Sequence, residues 1–151
     1  LTGVGQIDPA KLLEYDAVDT LVRKIFPLAT VVTPNLLEAE ALVGASGTRH
    51  EIARRIHDLG APAVIVTGGH GIDPVDHLFD GQRYVEIEVE RHDVAATHGA
   101  GCTHSATLAA LLARGESLED AARGAARVAS EAVRNGLVEI GAGEGPVNVL
   151  A

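Results

Sequence analysis

Ala96-Thr97-His98-Gly99-Ala100-Gly101-Cys102-Thr103-His104-Ser105 decides what kind of fold this chain can build. It reads as a glycine-flanked turn that opens a helix running from Ser105 to Arg114, with Gly115 closing it. Glycines on either side of Ala100 allow a tight turn that brings successive N–H groups to one side. A helix N-terminus adds unpaired N–H donors and a partial positive charge, so the geometry favours an anion, phosphate being the natural occupant. Cys102, the one cysteine in the chain, puts a reactive atom in the rim of that cradle. Taken alone, the pattern fits a tight structural corner equally well, and a lone cysteine is most often a small buried hydrophobe.

The flanking segments supply the context. Pro62-Ala63-Val64-Ile65-Val66-Thr67 is a continuous apolar strand that ends in the sharp turn Gly68-Gly69-His70-Gly71. A helix precedes it: Thr48-Arg49-His50-Glu51 is a capping-box pattern opening a run with Ile52, Ala53, Ile56 and Leu59 on one face, ended by Gly60. A helix returning to a fully apolar strand is the signature of a parallel sheet with crossover helices. Upstream, Asp16 is placed to cap a helix carrying Val18, Leu21, Val22 and Ile25, closed by Pro27. Thr30-Val31-Val32-Thr33 reads as a short buried strand stopped by Pro34, and Asn35 then caps a helix to Val43 with Glu38 in capping-box position.

Downstream of the apolar strand the pattern changes. Residues 76–89 read as a hairpin turning at Asp80-Gly81, with Val85, Ile87 and Val89 alternating with acids, as on a half-exposed edge. After the opening turn and its helix, Ser117 caps a second helix in which Leu118, Ala122, Ala125, Ala129 and Val133 share a face. Its alanines predict close packing on the helix before it. Gly136 ends that helix, and 141–148 read as a glycine-rich surface loop. Residues 1–14 show no clean period, and Gly3-Val4-Gly5 is half a dinucleotide fingerprint without a preceding strand.

Composition narrows the function classes. A chain of 151 residues, 46% hydrophobic with mean hydropathy +0.16, is expected to form a single domain over 1–151 with a real core. Aromatics make up 3%, so that core is aliphatic and alanine-rich, which suits helices packed on a Val/Ile sheet. A net charge of −9 argues against nucleic acid or an anionic membrane as the main partner. No apolar run approaches a membrane span and no secretory pattern opens the chain, so a cytoplasmic location is expected. The chain begins at Leu1 and contains no Met, which fits either numbering that starts inside a longer parent or a processed chain.

Other chemistries fit less well. Seven histidines fall in no helical metal-binding spacing, and Cys102 has no second cysteine for a zinc site. A serine hydrolase would want a glycine-flanked serine, and Ser105 lies inside the helix. A cysteine hydrolase pairing Cys102 with His98 or His104 stays open. A Walker loop would carry lysine where Cys102 stands.

The order of motifs is more specific than any one of them. Thr33-Pro34-Asn35-Leu36-Leu37-Glu38-Ala39-Glu40, Gly68-Gly69-His70, Thr97-His98-Gly99-Ala100-Gly101-Cys102-Thr103 and Gly145-Pro146-Val147-Asn148 together resemble the hydroxymethylpyrimidine/phosphomethylpyrimidine kinase family of the ribokinase-like superfamily. The resemblance runs from about Leu12 to the end, and the cysteine in the Gly-Ala-Gly-Cys turn is its discriminating mark. It implies a layered α/β fold with a mostly parallel sheet, flanking helices and an antiparallel edge hairpin, here without its N-terminal part.

That resemblance implies ATP-dependent phosphoryl transfer to hydroxymethylpyrimidine and its monophosphate in thiamine biosynthesis. Gly99, Ala100, Gly101 and Cys102 would form the anion hole, with Cys102 catalytic beside the acceptor. Thr67, Gly68, Gly69 and Thr97 would lie along ATP, and Asn35 and Glu38 would help hold Mg²⁺ through water. Two departures stand out: Thr67 takes a place where many members carry lysine, and Ala142 and Val149 stand where histidines are frequent. The absent N-terminal part holds most of the pyrimidine pocket, so two further readings stand beside the first. One is a non-catalytic homologue that binds nucleotide or assembles with a partner; the other is a kinase for a related ring such as pyridoxal. Sheet edges left exposed favour association, and a homo-oligomer is expected.

Overall fold

The computed structural model describes residues 15–68 and 74–151. The expectations for 1–14, including Gly3-Val4-Gly5, and those for Gly69, His70 and Gly71, lie outside the described residues. The elements run in the order α1 (Tyr15–Thr20), α2 (Leu36–Val43), α3 (Arg49–Asp58), β1 (Val64–Val66), β2 (Val75–Phe79), β3 (Tyr84–Glu88), α4 (Ala100–Ala113) and α5 (Leu118–Arg134). They group into two units. The first runs to Thr67 and takes in His77–Tyr84; the second holds Gly68 to Asp76 and Val85–Ala151.

In the first unit, Asp16 stands inside α1 rather than ahead of it. The chain continues as a π turn over Leu21–Ile25, closed by the Phe26 N–H on the Leu21 carbonyl, and a 3₁₀ turn over Phe26–Leu28 with Pro27 in it. Both capping boxes form. The Asn35 side chain accepts from the Glu38 N–H while Glu38 Oε2 accepts from the Asn35 N–H, both at 2.9 Å. Thr48 and Glu51 repeat the arrangement, and the Thr48 N–H and hydroxyl hold the Glu51 carboxyl below its usual range. Gly44 closes α2 in the left-handed conformation. Phe26, Ala39, Ile52, Ala53, Ile56, Val64, Val66 and Phe79 build the core of this unit.

The described strands show part of the expected α/β sheet. The strands assigned among the described residues form a three-stranded sheet in the order β1-β2-β3, with β1 antiparallel to β2 through Val64–Phe79, Ile65–Leu78 and Val66–His77. Parallel pairing is limited to isolated bridges, Val32 with Val64 and Asn35 with Thr67. Val32 donates to Ala63 O at 3.0 Å and accepts from Ile65 N at 2.8 Å, and Pro34 O accepts from Thr67 N at 3.0 Å. The next donor in that ladder falls at position 34, and proline has no N–H, so the ladder breaks between the two bridges. Residues 31–33 are half-buried, where the sequence predicts a buried strand.

The hairpin turns where the sequence places it. Asp80 Oδ1 accepts from the N–H groups of Gln82 and Arg83, at 2.9 and 2.7 Å, and Gly81 takes φ +91°. Its β3 strand buries Ile87 and exposes Glu86 and Glu88. In the second unit α4 packs on α5, whose buried face is Ala121, Ala122, Ala125, Ala126, Ala129 and Ala132. The helices meet closely enough that a Cβ on Gly124 would lie 2.6 Å from Leu111 Cδ1.

Candidate functional site

The opening turn belongs to α4 itself. The helix begins at Ala100, not Ser105, so Gly101 and Cys102 sit in its first turn. The correction has a simple cause: Gly99 takes φ +93°, a left-handed conformation that glycine adopts without strain, and this lets the helix start immediately after it. The Ala100 N–H is held by Thr97 O at 3.1 Å, and the Thr103 N–H and hydroxyl both reach Gly99 O at 2.9 Å. The N–H groups of Gly101 and Cys102 have no intrahelical acceptor at this end. No side chain caps the helix. Cys102 is exposed, and a Cβ on Gly101 would meet no atom within 4 Å, so the mouth of the turn is open. This is a donor set that suits an anion.

The turn has a frame that the sequence reading missed. The segment 145–148 was expected in a surface loop, yet Gly145 is buried and the segment pairs with the chain just ahead of α4. His98 N donates to Gly145 O at 3.2 Å, and Val147 N donates to His98 O at 3.0 Å, an isolated parallel bridge centred on Pro146. Leu137 N reaches Pro146 O at 2.9 Å and Asn148 N reaches Ala132 O at 2.9 Å. A Cβ on Gly145 would stand 2.2 Å from Leu137 O, so only glycine fits. The Thr97 hydroxyl donates to Glu144 Oε2 at 3.1 Å. The signal was available in the order of motifs, since Gly145-Pro146-Val147-Asn148 recurs there, but nothing local marks these residues as paired.

In the same unit Gly68 leaves the end of β1 with its N–H donated to Asp76 Oδ1 at 2.7 Å. Asp76 Oδ2 lies 3.3 Å from Nε2 of His104, on α4. Both side chains are buried. Neither Asp76 nor this role of His104 was read from the sequence. No hydrogen bond joins Cys102 to His98 or His104 among the described residues, which leaves the cysteine-hydrolase arrangement without support.

The first unit brings Asn35, Glu38 and Thr67 together. Asn35 and Thr67 form a parallel bridge, and the two side chains of the capping box lie at the start of α2. Asn35 Oδ1 and Glu38 Oε2 are engaged by backbone N–H groups, which leaves Glu38 Oε1 as the oxygen facing other partners. A hard, hydrated cation suits that donor set through water better than by direct ligation.

A family model described as phosphomethylpyrimidine kinase matches residues 7–148. The bifunctional thiamine biosynthesis protein ThiED of Geobacter sulfurreducens is 42% identical over 146 residues, covering 92% of this chain and 29% of that protein. The hydroxymethylpyrimidine/phosphomethylpyrimidine kinase of Rhizobium meliloti is 41% identical over 145 residues, covering 91% of this chain and 54% of that protein. Among solved structures, the pyridoxal kinase from Staphylococcus aureus in complex with AMP-PCP and pyridoxal matches with a TM-score of 0.84 and 33% identity, over 94% of this chain and 55% of that one. The chain thus spans about half or less of the length of these relatives.

Proposed function

Because the chain belongs to the phosphomethylpyrimidine kinase family, we propose that it carries the phosphate-handling part of an ATP-dependent kinase for hydroxymethylpyrimidine and its monophosphate. The observation that carries this reading is the open first turn of α4, where Gly99 permits the turn and the Gly101 and Cys102 N–H groups await an anion. Phosphoryl transfer asks little covalent chemistry of a protein and much positioning and charge stabilisation. In this reading the N–H groups of the Gly99–Cys102 turn bind the transferring phosphoryl group and hold its developing charge. Cys102 Sγ, acting as the thiolate, receives the proton of the acceptor hydroxyl as that oxygen bonds to phosphorus and the bond to the leaving ADP oxygen breaks. Thr67, Gly68, Gly69 and Thr97 line the nucleotide. Asn35 and Glu38 hold a hydrated Mg²⁺, which when bound supplies positive charge at the phosphate oxygens. The mostly parallel, ribokinase-like sheet belongs to this reading as the architecture of the whole kinase.

A second acceptor is favoured by one finding, the likeness to a pyridoxal kinase solved with pyridoxal. The phosphate-binding turn serves either ring equally, so the acceptor is decided by assay. The test is ATP-dependent phosphorylation of hydroxymethylpyrimidine and of pyridoxal by the full-length protein bearing this chain. Cys102→Ala is expected to lower kcat by about a hundredfold or more, the usual loss for a general base. Turnover kept within about twofold of the parent would remove Cys102 from the chemistry, on the same scale.

A further inference from the structure

The second unit buries three polar side chains among the described residues: Asp76, His104 and Ser130. Ser130 is explained locally, since its hydroxyl donates to Glu90 O at 2.7 Å and meets His92 Nε2 at 2.9 Å. Asp76, 3% exposed, and His104, 5% exposed, have no such local account. Asp76 uses one oxygen on the Gly68 N–H at 2.7 Å and sets the other 3.3 Å from His104 Nε2. That second approach lacks hydrogen-bond geometry, and neither ring nitrogen of His104 has a hydrogen-bond partner among the described residues. Burying a carboxylate beside an imidazole that makes no hydrogen bond is costly, and apolar side chains would fill the same space more favourably. Such a buried pair calls for a reason in what it holds.

We infer that Asp76 and His104 are positioning residues for ATP, one carboxylate joining the loop at Gly68 to the helix that carries the anion-binding turn. The Gly68 N–H is drawn inward to Asp76. In a planar trans peptide the Thr67 carbonyl therefore points the opposite way, out from the carboxylate. The backbone at Gly68 runs close against Val75, since a Cβ there would stand 2.2 Å from the Val75 carbonyl oxygen. His104 stands at the start of the second turn of α4, so its 3.3 Å approach to Asp76 sets the helix that carries the Gly99–Cys102 turn against the same carboxylate. The inference rests on the reading of Gly68 and of that turn as phosphate-binding.

The test combines steady-state kinetics on the full-length protein with ¹⁵N-resolved spectra of this chain. Asp76→Asn keeps an acceptor for the Gly68 N–H, whereas Asp76→Ala removes it. His104→Gln keeps a polar group, whereas His104→Leu does not. Asp76→Ala and His104→Leu are expected to raise KM for ATP about tenfold with kcat down by less than about threefold, and Asp76→Asn and His104→Gln to recover most of that loss. The Gly68 amide resonance is expected to move in His104→Leu as well as in Asp76→Ala, since the effect travels through the shared carboxylate. If Asp76→Ala does not fold, Asp76→Asn and His104→Leu decide. An unchanged KM in folded His104→Leu, or a Gly68 amide that ignores it, overturns the inference. A parent protein that binds no ATP overturns the kinase reading instead, while the Gly68 amide still reports on the Asp76–His104 link.

Discussion

Gly68 lies so close to Val75 that a Cβ on it would stand 2.2 Å from the Val75 carbonyl oxygen. The obstacle is backbone, which cannot swing aside as a long side chain can. Gly68→Ala is therefore expected to destabilise the protein by about 3 kcal/mol, the upper range for overpacking, seen as a lower urea midpoint. A midpoint equal to the parent's would mean that the chain has another route out of β1.

The two glycines of the α4 turn differ in what they permit. Gly99 is left-handed, so Gly99→Ala is expected to cost about 1–2 kcal/mol of stability. Gly101 faces open space, and Gly101→Ala gains up to about 1 kcal/mol of helix propensity. If the open space is the phosphate mouth, that methyl group weakens ATP binding while thermal stability holds or rises. Calorimetric titration of ATP into both variants separates the two effects, and undiminished affinity in a stable Gly101→Ala argues against the mouth.

The two capping boxes offer a matched comparison. Asn35→Ala and Thr48→Ala each remove a side-chain cap and are each expected to cost about 1 kcal/mol. Only Asn35 is proposed to face a hydrated Mg²⁺. Loss of Mg·ATP affinity in Asn35→Ala but not in Thr48→Ala supports that role; equal affinities in both would reduce Asn35 to a cap.

Asp80 gives the hairpin turn an acid dependence. The Arg83 N–H, then the Gln82 N–H, hold its carboxyl below the ordinary 3.8. A group whose folded pKa is depressed binds fewer protons folded than unfolded, so stability rises with pH through that interval. Its contribution is present above the unfolded pKa and is lost as pH falls through the folded one. Asp80→Asn is expected to shift the urea midpoint relative to the parent at neutral pH, with the gap closing in acid. A gap independent of pH would assign the turn's stability to the Gly81 backbone instead.

Much of the first unit is legible in the sequence, because its decisive bonds are short-range. Asn35 with Glu38 and Thr48 with Glu51 lie three residues apart, and such pairs read directly from the chain. The hairpin at Asp80-Gly81 is legible for the same reason, and the alanine face of α5 is legible from its helical spacing. The start of α4 was misplaced because glycine has poor helix propensity, and the left-handed Gly99 that lets the helix begin at Ala100 is a backbone choice. Asp76 was passed over as one acid among many in an acidic chain, since burial is what sets it apart.

By itself, the amino-acid sequence determined where most helices are capped, where the hairpin turns, and that a glycine-bounded turn leads into a helix around Cys102. Each of these is settled by bonds among neighbours, whose partners are few and near. Tertiary structure alone decided that the segment at Val32 and Asn35 pairs beside β1, that 145–148 pair with His98, and that Asp76 meets Gly68 and His104. Those pairings join residues distant in the chain, where many donors and acceptors compete. The winner is set by which segments the folded core brings within 3 Å or so, the reach of a hydrogen bond.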